Sequence, residues 1–235
     1  MAATAARIAE VLAGLRASSA RLRTAAGMER GHLPLGIAAI DEALGGGLPR
    51  GRLTELVGPR SSGRMSIALG ALAAAQQQGE LVAVVDVADA FDPRSAEAAG
   101  VTLARLLWVR PRSLVAGLQA ADRVLDAGGF GLLVLYLCGA ARQRVRGDVA
   151  WARLAQRTET ARAAVLVTGE WAQVGSFAAA TLESRRARVH WVGDGAGRLL
   201  EGSGGQVRVA RSKVGLPGDE APLQLAVATA IAIGW

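Results

Sequence analysis

The stretch Gly58-Pro59-Arg60-Ser61-Ser62-Gly63-Arg64-Met65-Ser66 holds the residues whose types and spacing point most directly to chemistry. It departs at two positions from G-x-x-x-x-G-K-[ST], the glycine-bearing turn that cradles phosphate between a strand and a helix. In that motif, backbone N–H groups and the helix N-terminus hold the phosphate oxygens. Lysine reaches the outer phosphates, and a hydroxyl ligates magnesium. Gly58 and Gly63 keep the turn, with Ser61 and Ser62 inside it. Arg64 keeps a positive charge, but its planar fork is not equivalent to a compact ammonium. Met65 stands where the magnesium-binding hydroxyl belongs and offers only a soft thioether. Ser66 lies one position late, so its hydroxyl faces another direction.

Such a turn needs a strand before it and a helix after it, and the surrounding pattern supplies both. Arg52 to Val57 reads as a strand and Arg64 to Gln78 as a helix, followed by a strand from Leu81 to Val87. Short apolar runs then alternate with Ala/Leu-rich segments of helical length, the pattern of an α/β domain with a mainly parallel central sheet flanked by helices. Helices are expected over Arg94–Gly100, Ser113–Ala127 and Asp148–Ala161, and strands over Leu106–Val109, Gly131–Leu137 and Ala164–Thr168. Arg188–Val192, Gln206–Ala210 and Leu223–Val227 read as strands of an antiparallel C-terminal extension. Residues 4–26 place Ile8, Val11, Leu12 and Leu15 at helical spacing, so residues 1–30 form an N-terminal amphipathic helical segment ahead of a core domain over 31–235.

Composition narrows the function classes. A chain of 235 residues that is 51% hydrophobic is long enough for one sizeable core. The net charge of +7 suits a polyanionic partner such as DNA. Cys138 has no cysteine partner, and His32 and His190 lack ligand spacing, so neither a disulfide nor a metal site is expected. No apolar run reaches the roughly 18 to 20 residues needed to cross a bilayer, and the N-terminus lacks the apolar region of a signal peptide. These features point to a reducing cytoplasm and away from a membrane.

From His32 to about Tyr136 the chain resembles the RecA recombinase family. The resemblance rests on the approach segments Leu33 to Asp41 and Leu44 to Arg52, on Pro59, Ser61 and Ser62 in the loop, and on Asp86-Val87-Ala88-Asp89-Ala90-Phe91-Asp92-Pro93. By residue count, Ala88 stands where recombinases carry their catalytic glutamate. Tyr136, ending the apolar run from Leu132, stands where an aspartate organises magnesium. With Met65, these substitutions remove groups that ligate metal or activate water, and efficient phosphoryl transfer depends on such groups. No catalytic residue and no required cofactor are therefore assigned, and ATP is kept open as a ligand of the loop.

Further along, Arg211 and Lys213 match family positions that reach a neighbouring subunit's nucleotide, which keeps self-association open. Arg142, Arg144, Arg146, Arg153 and Arg157 form the densest positive region, where the family's first DNA loop begins, and are the leading DNA-binding candidates. Arg185, Arg186 and Arg188 form a smaller cluster. The entry Gly45 to Leu56 and the run Leu106-Leu107-Trp108-Val109-Arg110-Pro111 resemble, within the family, the ImuA branch of bacterial mutagenesis cassettes. The resemblance implies a non-catalytic accessory role in DNA-damage tolerance, through contact with an ImuB-like polymerase-related protein or with RecA itself. Two alternatives stay open: a divergent DNA-stimulated ATPase using Asp86, Asp89 or Glu170 as a substitute carboxylate, and a modulator of RecA filaments acting through the N-terminal helix.

Overall fold

The computed structural model describes residues 31–137, 148–193, 199–213 and 220–226. The N-terminal helical segment, Cys138, Arg142, Arg144 and Arg146 lie outside the described residues.

A small antiparallel ribbon of β1 (His32–Leu33) and β2 (Leu48–Pro49) brackets α1 (Ala38–Ala43). The main body alternates β3 (Leu53–Val57), α2 (Arg64–Gln77), β4 (Leu81–Asp86), α3 (Pro93–Ala98), β5 (Leu106–Val109), α4 (Leu114–Ala127), β6 (Phe130–Tyr136), α5 (Asp148–Ala161) and β7 (Ala164–Gly169). It closes with β8 (Ala178–Val192), β9 (Leu199–Ser212) and β10 (Glu220–Ala226). These build one eight-stranded sheet in the order β10-β9-β8-β3-β7-β6-β4-β5. From β8 to β5 every pairing is parallel; β8 with β9 and β9 with β10 are antiparallel.

Parallel strands covered on both faces must be apolar throughout, and β3, β4, β6 and β7 are buried at every residue. One face packs Leu56, Val82, Val84, Leu132, Val134 and Leu166 against α2 through Ile67, Leu69 and Leu72. The other packs Leu53, Val85, Leu133, Leu135 and Val165 against α4 and α5 through Leu118, Val124, Trp151 and Leu154. Each fully buried leucine contributes about 1.5–3 kcal/mol relative to exposure, so the two layers hold the sheet rigid beneath its loops.

Most expected elements agree with the observed ones to within three residues; two strands run much longer than expected, and the β1–α1–β2 entry was not expected. The strand expected over Arg188–Val192 begins at Ala178, and its first turns pair in parallel with β3. The run Ala178-Ala179-Ala180 has little intrinsic strand preference, and only the buried slot beside β3 makes it extended. The strand expected over Gln206–Ala210 reaches back to Leu199, because β8 and β10 supply partners on both sides of its glycine-rich start. The C-terminal strands form the expected antiparallel extension, continuous with the main sheet. The short α1 was not expected; Asp41 fixes it by accepting from the Leu35 and Gly36 amides at 2.6 and 3.2 Å.

Helices α4 and α5 are joined by charge. Asp122, only 8% exposed, accepts from Arg153 at 2.5 Å and from Arg157 at 3.3 Å, while Arg157 also reaches Asp126 at 2.5 Å. Burial pushes the Asp122 carboxyl up, but the bonds from both arginines outweigh it and hold it below its ordinary value. Stabilisation from this group is present above the ordinary aspartate pKa of about 3.9 and fades as pH falls through the lower folded value. Replacing Asp122 with alanine is expected to cost about 1–2 kcal/mol in urea unfolding at neutral pH, and the gap should narrow at pH near 3. Equal stability of the two proteins at neutral pH would show that the ladder contributes nothing.

Candidate functional site

The carboxyl ends of β3, β7, β6 and β4 lie side by side, and the loops leaving them form one crevice. The loop after β3 is shaped by a close approach. A Cβ on Gly58 would lie 2.2 Å from the Ser184 carbonyl oxygen of β8 and 2.8 Å from Ser62 Oγ, so only glycine fits. The Ser184 hydroxyl donates to the Ser62 carbonyl and ties the loop to β8 from within. Ser61 (φ 59°) and Gly63 (φ 90°) are both left-handed, a geometry that turns successive N–H groups towards one side. Gly63 caps α2 with no side-chain bond to its first amides. Ser62 is 3% exposed with an unpartnered Oγ, Arg64 is 6% exposed, and Ser61 and Ser66 face solvent.

Below the loop, Met65 packs on the core and the Tyr136 hydroxyl donates to its sulfur. Tyr136 is 1% exposed and ends β6 beside Asp86, the last residue of β4. A magnesium ion demands hard oxygen ligands in octahedral array, and the Met65 thioether and Tyr136 phenol do not fit that demand. Asp86, fully buried, already accepts from the Ala90 amide at 3.1 Å and the Phe91 amide at 2.9 Å. The other two candidate carboxylates are also engaged. Asp89, left-handed at φ 53°, pairs with Arg110 at 2.6 Å, and Arg110 lies over the Trp108 ring at 4.9 Å. Glu170 meets Arg60 at 3.3 Å. Ala88 is half-buried and brings no polar group to the crevice.

Sequence reasoning missed Glu55. It sits mid-strand in β3, 2% exposed, and its Oε1 accepts from the Gln173 amide and, at 2.9 Å, from the Val174 amide. The loop following β7 is thus held from beneath by a carboxylate inside the sheet. From the side, Arg211 donates to the Gly175 carbonyl and Lys213 to the Ser176 carbonyl. The two basic residues compared above with subunit-bridging positions are therefore engaged within their own chain. The signal for Glu55 was a lone charge in an otherwise apolar strand, Leu53-Thr54-Glu55-Leu56-Val57.

The basic candidates separate. Arg153 and Arg157 are joined to α4 by the ladder described above. Arg185 and Arg186 on β8 are exposed, Arg185 making only a 3.3 Å contact with Glu183, which also meets Arg208 at 2.9 Å. Trp191, further along β8, is 51% exposed. No helix among the described residues is long and apolar enough to cross a membrane.

A parallel α/β sheet with a glycine turn running from its central strand into a helix defines the strand–loop–helix class of phosphate-cradling folds. Comparison with known proteins narrows this. Residues 16–170 match the family model described as the RecA N-terminal domain. The chain is 39% identical over 137 residues to Protein RecA of Limosilactobacillus reuteri strain DSM 20016, covering 57% of this chain and 38% of that protein. It is 45% identical over 101 residues to Protein RecA of Latilactobacillus sakei subsp. sakei, covering 43% and 28% respectively. The matched region spans about a third of the length of these relatives. The chain belongs to the RecA family.

Burial pushes the Glu55 carboxyl above its ordinary value, against the downward pull of the Gln173 and Val174 amides and of Arg211. A raised acid contributes stability that is fully present below the ordinary glutamate pKa of about 4.3 and is lost as pH rises through the folded value. Glu55→Gln keeps an acceptor for both amides and removes the charge, so its unfolding free energy should lose this pH step. Glu55→Ala should cost about 2–3 kcal/mol by stranding both amides. Urea unfolding from pH 4 to 8 checks both; a glutamine variant that keeps the wild-type pH step would refute the assignment.

Proposed function

We propose that this chain is an accessory protein of the RecA family in DNA-damage tolerance, working by contact and not by turnover of ATP. The observation that carries the reading is the Tyr136–Met65 contact, a thioether and a phenol at positions that, by the resemblance, a metal-dependent phosphoryl-transfer site fills with a hydroxyl and a carboxylate. The engagement of Asp86 with backbone amides supports it further, because the nearest carboxylate is committed to shaping its own loop. The divergent-ATPase reading needs Asp86, Asp89 or Glu170 to leave a present partner.

The finer reading follows the resemblance to the ImuA branch. Such a protein holds together or regulates a translesion-synthesis complex, with an ImuB-like polymerase-related protein or RecA as its partner. DNA is a further contact, with Arg185 and Arg186 better exposed for it than the laddered Arg157. The N-terminal segment is the candidate for a contact that modulates RecA filaments, and co-purification with RecA should fall when residues 1–30 are deleted.

The decisive test is phosphate release with ATP, magnesium and single-stranded DNA. Turnover is expected at least about 100-fold below that of a site with its metal ligands intact. Robust hydrolysis that disappears in Arg64→Ala would overturn the non-catalytic reading.

A further inference from the structure

Helices α4 and α5 present a patterned outer face. Each joins two parallel strands, α4 running from β5 to β6 and α5 from β6 to β7, so the two helices lie side by side and point the same way. Asp122 receives both Arg153 and Arg157, which sets the register between them. Val115, two turns before Asp122, then stands level with Val149, one turn before Arg153. Residues three, four and seven apart share a helical stripe, so Val115, Asp122 and Asp126 line α4 while Val149, Arg153 and Arg157 line α5. Arg123 turns off this stripe to the outer flank of α4. Both valines are exposed, Val115 at 59% and Val149 at 79%. Arg153 and Asp126 are each paired within the chain, yet their side chains are 68% and 64% exposed. A single exposed valine is ordinary; two at matching levels on neighbouring helices, heading a ladder with acids on one helix and arginines on the other, form a surface with a direction.

We propose that this face binds a second copy of itself, forming a two-fold dimer in which α4 of one protomer lies along α5 of its partner. Charge complementarity and symmetry select this occupant. An axis parallel to the helices sets Val115 against the partner's Val149 and brings Asp122 and Asp126 level with the partner's Arg153 and Arg157, and the same contacts repeat across the axis. An axis across the helices would set the valines against ions instead. Exposed ion pairs contribute little to affinity, so the valines supply the contact and the charges fix its register. Two 14-residue helices, each about 21 Å long, offer a face at the low end of stable interfaces, which places the dimer at micromolar concentrations. This contact is separate from the subunit bridging implied for Arg211 and Lys213, which are engaged within their own chain. It does not depend on the chemistry of the glycine turn, so its failure would leave the accessory reading intact.

The test is sedimentation equilibrium of the full chain from about 1 to 200 μM, with a cross-linking experiment for the register. A monomer–dimer equilibrium is expected. Val149→Asp, checked for folding by circular dichroism, should weaken it about ten-fold or more, because two carboxylates then enter the contact. In a Cys138→Ser background, Val115→Cys and Val149→Cys chains mixed under mild oxidation should give a disulfide-linked dimer holding one of each, in excess over the product of either chain alone. A chain that stays monomeric across the whole range would overturn the proposal. Self-association that ignores Val149→Asp would do the same, and if it also disappears on deleting residues 1–30, the contact belongs to the N-terminal segment instead. Cross-linking of Val149→Cys to itself in preference to Val115→Cys would defeat the parallel two-fold arrangement.

Discussion

Strand β3 is buried along its whole length between two parallel neighbours, β7 and β8, and the placement of everything above it follows from that confinement. Its end delivers Gly58 directly against the β8 backbone, where no side chain can be accommodated. Its middle residue, Glu55, holds the loop that follows β7. The phosphate-type loop and the 170–177 segment are therefore braced by a single five-residue strand. Movement of either would have to disturb a hydrogen-bonded ladder with apolar layers on both faces.

Beneath the loop a thioether and a phenol touch, and the buried Asp86 accepts from two amides of its own loop. Turn, helix N-terminus and guanidinium persist. Electrostatically, a helix N-terminus and a guanidinium lie on one side of the turn, and the Asp86 carboxylate lies on the strand beneath it.

The same economy marks the basic residues. A net charge of +7 invites a nucleic-acid reading, yet Arg153 and Arg157 join two helices, and Arg211 and Lys213 cover backbone carbonyls within their own chain. Arginine readily does this because one planar head can satisfy several acceptors. What a formal charge contributes to a surface depends on how much of it is spent inside the fold. On β8, Arg185 and Arg186 are exposed, and Arg185 meets Glu183 at 3.3 Å.

The α/β order and the glycine turn were legible in the residues themselves, because hydrophobic periodicity and motif spacing are local properties. The helix over Asp148–Ala161 and the strand over Leu106–Val109 agree to the residue. Ala178–Leu182 was not legible, since small residues become a strand only when a neighbour offers its edge. Nor could spacing reveal that Tyr136 closes on Met65, 71 residues away, or that Glu55 reaches amides more than 100 residues downstream. Residue type alone determined that positions 65 and 136 bring a thioether and a phenol to the crevice. Only the packing of the sheet, by bringing distant strand ends together, decided that the two would meet.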